Sequence, residues 1–195
     1  MASKDSLPTG KIILIALGVL VLLSVLFLWS SYNGLVTKEL NVENKWADVQ
    51  VQYQRRVDLI PNLVESVKGY AQFEKSTLTQ ITELRTQWMN AKSVNEKISV
   101  GTQLDTALSR LLVTFENYPE LKTVETVNNL MVQLEGTENR ISVARRDYND
   151  AVREYSTALR VFPSNLVGSM FGFEKKTFFE AEKGAEKVPR ADITN

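Results

Sequence analysis

A chain of 195 residues with neither cysteine nor histidine lacks at once disulfides, thiolate nucleophiles, imidazole bases and the commonest side-chain ligand of transition metals, so most hydrolase and zinc chemistries are excluded. Lys and Arg number 23 and Asp and Glu 23, a formal net charge of zero. The two signs are intermixed along the chain, which leaves no basic footprint for nucleic acid and no acidic tail.

Ile12 to Trp29, IILIALGVLVLLSVLFLW, carries no charge, and only Gly18 and Ser24 dilute its aliphatics. At about 1.5 Å per residue this run makes a helix of roughly 27 Å, close to the ~30 Å of hydrocarbon that one span crosses. Leu, Ile, Val and Phe contribute about −0.3 to −0.6 kcal/mol each near a helix centre, so the run favours insertion by roughly 4 to 8 kcal/mol. A cleaved secretory signal is the rival reading, since Lys4 and Lys11 precede the run as an n-region does. An h-region of about 7 to 15 residues ends at a small-x-small site, whereas this longer run passes through Trp29-Ser30-Ser31-Tyr32; a signal anchor fits better. Orientation is a tie, because Lys4 and Lys11 on one side face Lys38 and Lys45 on the other, and positive charge near the span is what counts. The expected organisation is a tail over 1–11, a transmembrane helix over 12–31, a helical bundle over 32–162 and a short C-terminal helix with a tail over 163–195. What lies beyond the span suffices for one domain with its own core.

From Asn41 onward apolar residues recur at steps of three and four, the mark of amphipathic helices. The first series is Trp46, Val49, Tyr53, Ile60, Leu63, Val67, Tyr70, Leu78, Ile81 and Trp88. Pro61 interrupts it, and a kink or break is expected near Leu59 to Asn62. The series ends around Asn90, and Ser93 with Glu96 spells a Ser-x-x-Glu capping box for the next helix. That helix carries Ile98, Leu104, Leu108, Leu111, Leu112 and Phe115 and stops near Tyr118-Pro119. Thr123 is the expected N-cap of the last long helix, whose stripe of Val127, Met131, Leu134, Glu138, Ile141, Arg145, Tyr148, Val152, Tyr155 and Leu159 implies about 38 residues, or roughly 57 Å. No alternating strand pattern or internal repeat is apparent. The expected fold is all-α: one N-terminal transmembrane helix followed by a long antiparallel bundle of three to four helices.

Charges that fall on the stripes are the most pointed feature of the body. Arg56 and Glu74 lie on the first seam, Glu138 and Arg145 on the last. One reading is that they snorkel or pair across the bundle and fix its register, as single polar seam residues do in coiled coils. The other is that Arg55, Arg56, Asp58, Arg145, Arg146 and Asp147 form a polar site for a ligand or a partner helix. After Phe162-Pro163 the composition changes: Leu166, Val167, Met170, Phe171, Phe173, Phe178 and Phe179 crowd together, with Lys175 and Lys176 beside them. These residues either form a hook that closes the end of the bundle or remain as a surface for lipid or another subunit.

Tyr32 to Val36 (YNGLV), Gln54 to Val64 (QRRVDLIPNLV) with Val67 to Tyr70 (VKGY), Glu116 to Lys122 (ENYPELK), Glu135 to Ile141 (EGTENRI), Ala144 to Asn149 (ARRDYN) and Phe162 to Asn165 (FPSN) together resemble the LemA family of bacterial membrane proteins over nearly the whole chain. The resemblance implies a short N-terminal tail, one span in the bacterial inner membrane and a helical bundle, drawn on the cytoplasmic side, in a family without an established enzymatic activity. It carries over no catalytic residue, cofactor or metal. Two departures are visible: Phe73 stands where many relatives have histidine, and Val188 to Asn195 (VPRADITN) drifts from the usual Val-Pro-x-Val ending.

Three functions follow. The first is a non-catalytic, membrane-anchored scaffold that self-assembles or presents a surface to other membrane proteins, with the lipid bilayer, a second copy and such proteins as partners and no nucleic acid or small-molecule substrate evident. The second is a sensor or regulator in which Pro61 couples the span to the bundle. The third is a carboxylate-dependent enzyme, which the sequence disfavours because metal-binding bundles pair glutamates with a Glu-x-x-His step.

Overall fold

A computed structural model of the chain describes residues 9–68, 75–118, 121 and 123–180. Among them are five helices and no strand: α1 (Thr9–Val67), α2 (Lys75–Asn90), α3 (Val94–Glu116), α4 (Glu125–Ala158) and α5 (Ser164–Phe171). Packing groups the described residues into two compact units, one within 9–43 and 153–176, the other within 44–152 and 177–180.

In the second unit four helices run alternately up and down. On α1 and α2, the Tyr53 ring stacks on Trp88 at 5.6 Å, and Arg85 reaches the Val57 carbonyl. Trp46 meets Tyr148 and Arg56 meets Glu138, so α4 is antiparallel to α1 as well. The stripes face inward: Val49, Ile60, Leu63, Ile81, Leu104, Leu111, Val127, Leu134, Ile141 and Val152 are all buried, at about 1.5–3 kcal/mol for each fully buried large aliphatic.

Helix α1 does not break at Leu59 to Asn62; it continues through Pro61 and ends at Val67. Proline supplies no N–H, so the carbonyl four residues earlier loses its helical donor. That carbonyl belongs to Val57, and the Arg85 Nε of α2 donates to it at 2.9 Å. A side chain from the neighbouring helix thus replaces the missing bond, and the first apolar series becomes two helices, one ending at Val67 and the next beginning at Lys75, with no break at Pro61. Arg85→Ala should cost about 1–2 kcal/mol by stranding that carbonyl. In a Pro61→Ala background, where the alanine N–H restores the helical bond, the same change should cost far less. Equal losses of urea stability in the two backgrounds would refute the replacement.

The Ser93–Glu96 capping box is present: Glu96 N donates to Ser93 Oγ at 3.2 Å and Ser93 N to Glu96 Oε2 at 3.3 Å. Helix α4 begins at Glu125, which puts Val124 rather than Thr123 directly before it, and Asn128 N donates to the Val124 carbonyl at 3.0 Å.

In the first unit, every large apolar side chain from Ile12 to Trp29 is exposed, and no part of the apolar window on α1 is covered; α1 carries a stretch long and apolar enough to cross a membrane. Leu35, Val42, Tyr155 and Val167 are buried. α5 returns against α1 at Gly168, where a Cβ would come within 2.8 Å of Leu159 Cδ2 and 3.9 Å of Leu35 Cδ1. Gly172, at φ +73°, ends α5 in the left-handed conformation that glycine adopts freely.

Candidate functional site

The four-helix unit holds a connected set of charges that runs from its interior to the half-exposed Glu138. Arg56, on α1, is 1% exposed, and its guanidinium donates in three directions. Nη1 meets Asp105 Oδ1 of α3 at 2.5 Å, Nη2 meets Glu138 Oε2 of α4 at 2.6 Å, and Nε meets Thr137 Oγ1 at 3.1 Å. Thr137 passes its own hydrogen to the Leu134 carbonyl at 2.7 Å. The second Asp105 oxygen accepts from the Tyr53 hydroxyl at 2.8 Å, and Arg145 Nη2 donates both to that oxygen and to the Tyr53 hydroxyl. Two guanidiniums and two carboxylates balance in charge, and charge-assisted bonds tie α1, α3 and α4 to one another at this level.

The ring carrying the Tyr53 hydroxyl lies between Trp88 and α3. A Cβ at Gly101 would approach Tyr53 Cζ and Oη to 2.9 Å, so glycine there admits the ring against the helix backbone. Burial, then Asp105, pushes the Tyr53 phenol far above its ordinary value. Burial pushes the Asp105 carboxyl up, with Arg145 and Arg56 pulling against that push. Burial opposes the Arg145 charge, but Asp105 and Tyr53 outweigh it and hold the guanidinium above its usual range.

Phe179 covers this end of the network. Its ring sits 4.7 Å from the Arg145 guanidinium carbon, 5.7 Å from the Tyr148 ring and 6.0 Å from the Trp46 ring, in cation–π and aromatic contact. Side chains of α4 hold the backbone of this segment: the Asn149 amide exchanges two bonds with the Phe179 backbone, at 2.9 and 3.0 Å, and the Tyr148 hydroxyl donates to the Thr177 carbonyl at 2.9 Å. In the first unit the Tyr155 hydroxyl donates likewise to the Glu174 carbonyl at 3.0 Å.

Burial pushes the Tyr148 phenol from 10.0 up to about 12, and burial with Glu39 and Glu174 does the same for Tyr155. A phenolate cannot donate to a carbonyl. Because both groups lose their protons later in the folded chain than in the unfolded one, their stabilising contribution is whole below pH 10.0 and disappears as pH rises to about 12. Unfolding of the wild type should therefore steepen across this window, and the Tyr148→Phe/Tyr155→Phe variant should lose that part of the pH dependence. Matching alkaline profiles for the two proteins would contradict it.

The six residues of the polar-site reading do not gather in one place. Arg56 and Arg145 meet on Asp105. Arg55 and Asp58 are exposed, with Asp58 accepting from Gln54 at 2.8 Å, and line an open surface groove of ≈ 590 Å³ with Val132, Gln133 and Arg140. Arg146 is 70% exposed and approaches Asp147 only to 4.0 Å. Glu74 lies outside the described residues, as do Phe73 and the chain from Val188 on. The C-terminal apolar residues divide: Val167 and Phe179 are buried, Phe173 is half-buried, and Leu166, Met170, Phe171 and Phe178 are exposed.

Sequence reasoning missed Asp105, Tyr53 as a polar partner, Thr137 and Arg85. The available signal for Asp105 was its position between Leu104 and Leu108, four residues after Gly101, on the apolar side of α3.

A helical unit built around a charge-balanced network, on a chain that also bears an uncovered apolar stretch, is an all-α architecture that fits a membrane protein. The sequence profile of the LemA family matches residues 45–192, most of the length, and the chain belongs to that family. It is similar to Magnetosome protein MamQ 2 of Paramagnetospirillum magneticum, 27% identical over 184 residues, 81% of this chain and 67% of that one. Protein LemA of Metamycoplasma hominis is 24% identical over 194 residues, 97% of this chain and 87% of its own. Magnetosome protein MamQ of Magnetospirillum gryphiswaldense is 24% identical over 204 residues, covering 91% and 75%.

Proposed function

We propose that this protein is a single-pass membrane protein whose helical body works by binding: a non-catalytic scaffold that assembles with copies of itself or presents its surface to other membrane proteins. The observation that carries this reading is the bare apolar run from Ile12 to Trp29, whose large side chains are 39–71% exposed. Aliphatic surface of that extent needs a solvent other than water, and a bilayer provides it. The body supports the same reading through its interior, where Arg56, Arg145, Asp105 and Glu138 are committed to one another. Relatives named as magnetosome proteins agree with work at a specialised assembly.

In this reading the anchor lies in the bacterial inner membrane and the four-helix unit in the cytoplasm. Alkaline carbonate extraction of bacterial membranes tests the anchor: the full chain stays in the pellet, and a chain lacking residues 12–29 is released. Release of the full chain would remove the anchor from the account. A reporter fused after Asn195, active only in the cytoplasm, tests the orientation; silence there with activity of a periplasmic reporter would reverse it.

A further inference from the structure

One side of α5 is apolar and uncovered. Leu166 and Met170 share one face of this helix, and Phe162 precedes them by the same four-residue step. Their exposures are 53%, 69% and 78%, while Val167 and Gly168 on the other face are buried. Phe162, Pro163 and Leu166 form one wall of an apolar groove of ≈ 790 Å³, and α1 residues between Ala16 and Leu28 form the other. The depth of α5 is fixed by Ser31 Oγ, which donates to Ser164 Oγ at 3.1 Å, and by Tyr32, whose ring meets Phe171 at 4.9 Å and Phe173 at 5.7 Å edge-on. Ser31 stands between Trp29 and Tyr32, which are 70% and 38% exposed; aromatic side chains at the end of an apolar run mark the bilayer interface. From that level the groove extends toward Ala16, into the apolar run and away from Lys38 and Glu39.

We infer that the segment Val161–Phe171 is a second membrane-contacting element: α5 lies in the interface beside the span, Phe162 and Leu166 meet lipid acyl chains that fill the groove, and the exposed Met170, outside the groove, meets lipid on the same helix face. The argument for lipid as occupant is continuity, because one wall of the groove is the spanning surface itself. α5 itself carries no charge, and the exposed Arg160 and Lys175 flank it in the chain as cations for headgroup phosphates. This inference rests on the reading of Ile12–Trp29 as a span.

The chain has no cysteine, so single cysteines can be introduced into the full-length protein at Leu20, Phe162, Met170 and, in the four-helix unit, the exposed Val113. Each variant (Leu20→Cys, Phe162→Cys, Met170→Cys, Val113→Cys) is labelled with an environment-sensitive fluorophore and reconstituted in phosphatidylethanolamine–phosphatidylglycerol vesicles. The labels at 162 and 170 should be quenched by doxyl-labelled lipid, shift to the blue and lose most of their quenching by iodide, as at position 20; position 113 should show the reverse. Iodide access at 162 and 170 equal to that at 113, with position 20 still protected, overturns the inference and leaves the span intact. Iodide access at position 20 as well overturns the span. Protection at 162 and 170 without doxyl quenching, lost as the lipid-to-protein ratio rises, assigns the groove to a second copy of the chain and also overturns lipid as the occupant.

Discussion

Asp105→Ala is expected to lower the unfolding free energy of the full-length protein in detergent micelles by about 3–5 kcal/mol, the cost of leaving charge buried without its partner. Asp105 is 6% exposed and is the one group bonded to Arg56, Arg145 and Tyr53 together. Its removal leaves Arg145 with the Tyr53 hydroxyl, and Arg56 with Glu138 and Thr137. It also opens a space that helix α3 cannot close, because the Tyr53 ring already rests against Gly101. Urea unfolding followed by far-UV circular dichroism measures the loss. A change below about 1 kcal/mol would match an exposed pair instead and contradict the buried network.

Arg56→Ala should cost a similar amount, about 3–5 kcal/mol, since it strands Asp105 on one side and removes the fork that joins three helices. Arg56→Lys should recover only part of it. A lysine ammonium is a single donor centre on a flexible stem, and it cannot reach Asp105, Glu138 and Thr137 in the geometry the guanidinium adopts. Glu138 is 47% exposed and turns to water when its partner leaves, so the irreducible part of the loss resides in Asp105. Combining Arg56→Ala with Asp105→Ala should therefore cost clearly less than the sum of the two, because the second change removes the charge that the first one strands. Simple additivity would show that the two residues act independently.

The helices were legible because their information is local. Steps of three and four from Val127 to Tyr155 mark one face without reference to anything else in the chain, and the capping box is spelled out between Ser93 and Glu96. The absence of a break at Pro61 has the opposite origin. Locally, Pro61 shows only what it removes from its own helix, whereas the compensating donor, Arg85, lies on another helix and 28 residues from Val57. The charge network divides the same way. Arg56 and Arg145 stood out because each interrupts an apolar stripe, but Asp105 sits 49 residues from one and 40 from the other, and nothing in its neighbourhood names them as partners. Composition alone marked the C-terminal aromatics as one patch. Packing separated them, sending Val167 and Phe179 inward and leaving Leu166, Met170 and Phe171 outside, a sorting that depends on where the returning chain meets α1 and α4 in their respective units.

The claim that this protein is anchored in lipid and acts by binding meets its most direct test in the mass of the full-length chain in native-lipid nanodiscs, corrected for lipid and belt protein. The account predicts a defined multiple of the 22.0 kDa chain, or a stoichiometric complex with another membrane protein, unchanged on dilution. A lone 22.0 kDa chain at every concentration, with no partner retained, would contradict it.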